Sequence, residues 1–408
     1  MKKIKKNVII NTIGSTIYAI TSLIFLIVVT RINGVNQAGI FTFGFTFACL
    51  LISIGNYSTR SFQVTENDPN IKDEDFIYHR ILTVGIMIIF GTLYCLFNKY
   101  VEEKIIIIIL LVIYKGLESF SDVYYGYMQK EEELYKVGIS HILKAVFGTL
   151  FFITTNILTK NLILSIIVLI LITLIITIFY DYKNIKKYQL EKSTYSNKKM
   201  IKMFKIGFLA FLLSFLINYT INTQKYIIDI LLGSEKQTVY GIIIMPITFI
   251  TMFSQFVIQP FLVKMKKMYT DKNYQKLKKI IFMMILIIVI VGIIIVIIGS
   301  IIGIPFLNFV YNINLNEYHT SFIIILIGSI FYAIISLLTT IYIAIRKNKF
   351  QNIVFIIFSV ISTIFAYIMI KEYEILGASI SYLILMTIIF IVYLIPLHNF
   401  LSEKKKKN

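Results

Sequence analysis

The stretch 105–126, IIIIILLVIYKGLESFSDVYYG, begins as unbroken hydrocarbon and ends with Lys115, Glu118 and Asp122. About 20 mostly apolar residues, at 1.5 Å rise each, carry a helix across the hydrocarbon core of a bilayer. A charged side chain at the centre of such a helix costs roughly 2.5–3.5 kcal/mol even on the lenient insertion scale, so it faces a protein interior or a wet cavity. At about 100° per residue, Lys115, Glu118, Asp122 and Gln129 fall on one narrow stripe. The segment predicts a membrane helix with a single polar face, and the remaining chain has to supply what that face looks onto.

Composition agrees. With 58% hydrophobic and 15% charged residues, the 408-residue chain belongs to the polytopic membrane class rather than to soluble domains. Twelve spans are expected, near 8–30, 38–58, 80–97, 105–128, 137–158, 161–181, 203–224, 238–262, 280–304, 320–344, 351–370 and 375–397. Of the 40 Lys and Arg residues, 31 fall on one side of this arrangement, in alternate loops and both tails. The loops on the other side hold only Arg31, Lys99, Lys104, Lys160, Lys236 and Lys371. Because basic residues stay cytoplasmic, both termini are expected in the cytoplasm. The same asymmetry accounts for the net charge of +19 without nucleic acid. The polylysine tail, 404–407, is expected to meet anionic membrane lipid. The abundance of Ile, Lys and Asn fits an AT-rich bacterial genome, and hence a bacterial cytoplasmic membrane.

The longest hydrophilic stretch, DYKNIKKYQLEKSTYSNKKMIKMFK, begins at Asp181 and divides six expected helices from six. The expected organisation is a six-helix lobe over 1–181, a cytoplasmic basic linker over 182–202, and a second six-helix lobe over 203–408 that includes the polylysine tail. Residues 37–62 laid over 239–264 align Gly39 with Gly241, as a repeated half would. The acidic residues Asp68, Asp73, Glu74 and Asp75 read as a solvated loop face, and Arg80 as one more cytoplasmic cation.

Other helices also carry polar stripes. One joins Ser214, Asn218, Asn222, Lys225 and Asp229; another His141, Lys144, Gly148 and Thr155; a third Asn11, Ser15, Tyr18 and Ser22. Together they predict a hydrated central cavity. Lys115 with Glu118, and Lys225 with Asp229, can equally be ion pairs within one helix. Glu118 and Asp122, one turn apart, would repel if both were ionised, so one of them is expected to hold a proton or a cation. Lys144 has no acidic partner in its own helix; it pairs across helices, holds a substrate anion, or snorkels. Arg31 caps the outer end of the first helix or faces the cavity, and Arg60 anchors the cytoplasmic side or does the same.

No Walker A sequence, nucleophile elbow, HExxH or zinc pattern is present, and no enzyme activity is expected. Cys49 and Cys95 lie in apolar runs and the four His are scattered, so neither a disulfide framework nor a metal site is implied.

Several stretches carry a resemblance: VVTRINGVNQAGIFTFGF (28–45) followed by IGNYSTRSFQVTEND (54–68), NTQKYIIDILLG (222–233) with YGIIIMPITFITMFSQFVIQPFL (240–262), and LGASISYLI (376–384). The chain resembles the polysaccharide flippases of the Wzx type, within the multidrug, oligosaccharidyl-lipid and polysaccharide exporter superfamily. The likeness runs over essentially its whole length. It implies an all-α membrane protein of twelve helices in two six-helix lobes around a central cavity, working by alternating access. The implied cargo is an oligosaccharide repeat unit on a polyprenyl diphosphate, moved from the cytoplasmic to the outer leaflet. Arg31, Arg60 and Lys225 are implied as cavity cations, joined as substrate ligands by Lys144, Asn218 and Asn222. Lys115, Glu118, Asp122 and Asp229 would couple transport to H+ or Na+; no other cofactor is expected. A polysaccharide polymerase and other assembly proteins are expected partners. The alternatives are a drug or metabolite cation antiporter of the same superfamily, and a membrane scaffold for polysaccharide synthesis that transports nothing. Mixed Lys and acid on the cavity stripes favours an anionic cargo over an organic cation.

Overall fold

In hydrocarbon every backbone N–H and C=O must be satisfied within the protein, which leaves helices as the way for apolar runs of this length to cross. The structure is a computed structural model and describes residues 2–65, 70–258, 261–271, 273–345 and 347–400; among them there is no strand. The helices are α1 Lys2–Asn56, α2 Thr59–Thr65, α3 Asp73–Phe97, α4 Glu102–Lys130, α5 Leu134–Thr159, α6 Leu162–Ile176, α7 Lys183–Ile185 and α8 Asn197–Leu231. They continue with α9 Gly233–Ile243, α10 Pro246–Ile258, α11 Leu262–Thr270, α12 Tyr274–Ile298, α13 Ile304–Tyr311, α14 His319–Ala344 and α15 Asn348–Phe400. Asp68, Pro260, Arg346 and the polylysine tail lie outside the described residues.

Eight stretches among the described residues are long and apolar enough to cross a membrane. Two of them carry two expected spans each. α1 is broken at Gly34 (φ 86°, ψ 173°), between 8–30 and 38–58, and α15 at Glu374 (φ 48°, ψ −126°), between 351–370 and 375–397. The first break uses the residue without a Cβ penalty at positive φ. The two further expected spans lie on α4, set apart by its charges, and on α9–α10, interrupted by a turn before Pro246. Phe97, Leu158, Ile301 and Phe309 are largely exposed, as acyl-chain contact requires.

The helices pack into two compact units, Met1–Asn218 and Tyr219–Asn408. The division falls inside α8, not in the stretch 182–202. The first half of α8 belongs to unit 1: Tyr57 stacks on Phe211, meets Phe204 edge-on, and sits where a Cβ on Gly207 would be, while Asn218 donates to Ser53 Oγ at 3.2 Å. Beyond Tyr219 a polar ladder ties α8 to α15 within unit 2, through Tyr219–Thr363 (2.8 Å), Thr223–Ser362 (3.1 Å) and Gln224–Ser381 (3.5 Å).

In unit 1, α1 and α5 approach closely because small residues let them: a Cβ on Gly14 would stand 2.1 Å from the Gly138 carbonyl oxygen, and one on Gly138 would stand 2.3 Å from that of Ile10. The stretch expected as a cytoplasmic basic linker packs onto this unit. Ile185, Met200 and Met203 join Ile71, Phe76, Tyr127 and Val137 in an apolar cluster. The acidic residues at the start of α3 are a fastening for that segment and not a solvated face. Asp73 accepts from the Glu191 N–H at 3.1 Å, Glu74 from the Ser193 N–H at 2.7 Å, and Asp75 from Ser193 Oγ at 2.8 Å. Asp75 also caps α3 through the Lys72 N–H (2.9 Å) and pairs with Lys199 (3.1 Å). Tyr188 donates to Glu133 at 2.6 Å, and burial together with that carboxylate pushes its phenol pKa upward.

A bulky residue at the α1–α5 contact cannot be absorbed, since backbone meets backbone there. Gly138→Leu is expected to abolish recovery of folded protein in detergent, whereas Gly85→Leu, where nothing stands within 4 Å, leaves its melting temperature near the wild-type value. Size-exclusion profiles and thermal unfolding check both.

Candidate functional site

The polar stripe of α4 looks into unit 1. There a cavity of about 240 Å³ is lined by Tyr18 of α1, Ile52 and Asn56 further along α1, Arg60 of α2, Glu118, Asp122 and Tyr125 of α4, and His141 and Lys144 of α5. A wall of this kind, at membrane depth, is stable only when its charges are matched by one another.

Three ionic groups do the matching. Lys115 pairs with Glu118 at 2.8 Å within α4, and Glu118 also accepts from Tyr18 at 2.5 Å. Tyr18 in turn lies 3.1 Å from Tyr114 Oη and stacks on His141, whose Nδ1 meets Ser15 Oγ at 3.1 Å. Asp122 takes Arg60 on one oxygen and Arg80 on the other, both at 3.2 Å. Lys144 crosses to Asp181 at 2.6 Å and also donates to Ser121 at 2.5 Å and Tyr125 at 2.9 Å.

Glu118 and Asp122, expected to repel if both are ionised, each meet cations: Lys115 for Glu118, Arg60 and Arg80 for Asp122. Of the three courses open to Lys144, the structure takes the cross-helix pair: its side chain is 2% exposed and that of Asp181 is fully buried, which makes it a poor free ligand for an anion. Asp181 stands in the sequence at the last position of the expected span 161–181, where the longest hydrophilic stretch begins. A π-turn over Thr177–Tyr182 at the end of α6, a distortion often found at functional sites, instead places it inside.

The other expected residues are distributed differently. Arg60 lines the cavity with a side chain 29% exposed, held by Asp122 and by Gln129 Oε1 at 3.1 Å. Arg31 is exposed near the break in α1 and does not line the cavity. Asn218 bonds within unit 1; Asn222, Lys225 and Asp229 belong to unit 2, with Asp229 buried. Arg80 escaped the sequence reading. It is fully buried in α3, with Nη1 within 3.0 Å of Gly55 O, Asn56 Oδ1 and Ser119 Oγ. The available signal is its place at the start of an apolar span, where the sequence reading counts it as one more cytoplasmic cation.

The chain is thus a multi-span helical protein with a charged cavity of about 240 Å³ in unit 1. Over 93% of its length and 96% of the relative's, the chain is 23% identical to the capsular polysaccharide biosynthesis protein CapF of Staphylococcus aureus. Among solved structures it matches an inward-facing multidrug resistance MATE family transporter of the MOP superfamily with a TM-score of 0.73 at 14% identity, covering 98% of this chain and 99% of that one. It also matches a MOP superfamily transporter from Pyrococcus furiosus, described by the reversed polarity of its binding pocket, with a TM-score of 0.66 at 14% identity, covering 100% and 97%. No family model matches. The chain therefore has the fold of the MOP superfamily transporters.

The Lys144–Asp181 pair supplies a test of the matching argument. Lys144→Met leaves Asp181 buried without a counter-charge and is expected to cost about 3–5 kcal/mol of stability, most of it recovered in Lys144→Met/Asp181→Asn. A double-mutant cycle on thermal or denaturant unfolding in detergent measures the coupling.

Proposed function

We propose that this chain is a flippase for a polyprenyl-diphosphate-linked oligosaccharide, moving it from the cytoplasmic to the outer leaflet of a bacterial cytoplasmic membrane by alternating access. The observation that carries the reading is the sign of the cavity's charge. Among the described residues, the lining sets Arg60 and Lys144 against Glu118 and Asp122, and the charged groups bonded to it add Arg80 and Lys115 against Asp181, an excess of one positive charge over the cluster. A site for organic cations requires the opposite sign. A diphosphate head suits an Arg wall, since guanidinium offers paired donors to phosphate oxygens, and Tyr18, Asn56, Tyr125 and His141 suit sugar hydroxyls. The relative named for capsular polysaccharide biosynthesis supports the same cargo class.

Arg60 is the headgroup ligand in this reading, because it is the cavity cation with an exposed face. Energy coupling falls to Glu118 with Lys115, using H+ or Na+. Asp122 is less suited, being held between two guanidiniums. In unit 2, Asn222 and Lys225 are assigned to substrate contact and Asp229 to ion coupling. Both termini face the cytoplasm, and polymerising and assembly proteins take the product on the outer side.

In proteoliposomes, Arg60→Ala is expected to lower flipping of a polyprenyl-diphosphate oligosaccharide about tenfold or more, the scale of one charge-assisted contact to phosphate. Glu118→Gln is expected to keep downhill flipping and lose its response to an imposed ion gradient. Absence of flipping by the unaltered protein, with uptake of organic cations in its place, would replace this reading by the antiporter.

A further inference from the structure

Asp122 is shared between two arginines that stand in unlike surroundings. Arg80 is fully buried, and besides Asp122 Oδ2 (3.2 Å) its guanidinium reaches Gly55 O, Asn56 Oδ1, Ser119 Oγ and Thr59 Oγ1, all within 3.1 Å. Arg60 is 29% exposed on the cavity wall, and beyond Asp122 Oδ1 (3.2 Å) it donates to Gln129 Oε1 and lies over the Tyr125 ring. One cation is built into the packing and the other rests on its surface.

This difference matters when a ligand arrives. Taking the only cation from a carboxylate at membrane depth strands a charge, which is strongly unfavourable. Taking one of two does not. Arg60 can leave Asp122 for another anion while Arg80 keeps the carboxylate compensated, so the number of matched charges is the same before and after the exchange.

We infer that Arg80 is a positioning residue that makes Arg60 a releasable cation: it holds Asp122 as a permanently compensated carboxylate, and Arg60 exchanges that carboxylate for a diphosphate group. Asp122 acts as a stand-in anion, keeping Arg60 aimed at the cavity and setting the affinity that a true ligand must exceed. The inference rests on the anionic-cargo reading above. It adds that affinity is governed by a residue that never touches the cargo. It also gives the carboxylate an effect of the opposite sign to a ligand's, so that removing it strengthens binding.

Binding of inorganic diphosphate to the full-length protein in detergent, by equilibrium dialysis, tests this, with thermal unfolding confirming that each variant is folded. Asp122→Asn is expected to bind about tenfold more tightly than the unaltered chain, because Arg60 no longer has a competing carboxylate. Arg80→Gln is expected to lose binding as severely as Arg60→Gln although Arg60 is intact, because Arg60 is then the sole partner of Asp122. Arg80→Gln/Asp122→Asn is expected to regain it. Unchanged or weaker binding in Asp122→Asn overturns the inference, as does wild-type binding in Arg80→Gln or a folded double variant that stays inactive. If Arg80→Gln does not fold, the Asp122→Asn result decides alone. Absence of diphosphate binding by the unaltered chain overturns the cargo reading and the inference together; binding by that chain with no response to Asp122→Asn overturns the inference only.

Discussion

Unit 1 is organised by the cost of charge at membrane depth. Seven charged side chains meet there, and two of the three carboxylates are matched from other helices: Asp122 by Arg60 of α2 and Arg80 of α3, and Asp181 by Lys144 of α5, while Glu118 pairs with Lys115 in its own helix and accepts from Tyr18 of α1. Hydrocarbon packing alone cannot fix how apolar helices rotate against one another, because a lipid tail is as good a neighbour as a leucine. Ionic contacts of this geometry do fix it. The polar faces of α1, α3, α4 and α5 are therefore set by the same contacts that form the cavity, and the cavity wall and the helix register have one origin.

In unit 2 the contacts between α8 and α15 are of another kind. Its α8–α15 ladder is made of hydroxyl and amide pairs, and the lysine–glutamate contact between Lys236 and Glu374 (2.7 Å) lies at a helix break where both side chains reach solvent. Hydroxyl and amide contacts between membrane helices are individually modest, so such an interface can slide or re-pair at small cost. The described contacts thus differ in chemistry: an ionic centre around α4 in unit 1, a polar seam between α8 and α15 in unit 2. That asymmetry is compatible with the weak internal repeat, in which helix order is kept while identity is low.

The helices were legible in the sequence because membrane spans are written in composition, and even the breaks fall between expected spans, at Gly34 and Glu374. Half of the site was legible for a related reason. Lys115, Glu118, Asp122 and Lys144 stand out against Ile and Leu, and their spacing on a stripe follows from helix period. Arg80 and Asp181 were not, since each sits at the edge of an apolar run, where a charge at the interface and a charge turned inward have the same sequence. What separates them is a rotation of α3 and one extra residue in the turn after α6, and neither is encoded by local pattern. The pairings were unreadable too: Lys144 and Asp181 are bonded only because two helices cross at their level.

The segment between α7 and α8 was read as a tether, and its fastening to Asp73, Glu74 and Asp75 changes what can be done to the molecule. A tether is the usual place to cut a transporter into separately expressed halves, or to insert an affinity tag or a fluorescent domain. Here Glu191 and Ser193 supply backbone N–H groups to the N-terminal turn of α3, and Ile185, Met200 and Met203 supply part of an apolar cluster that also holds Tyr125 of the cavity wall. An insertion between 186 and 196 would pull on that wall from outside the membrane. The midpoint of the chain is for this protein a structural part of its first half, and a reporter is better tolerated elsewhere.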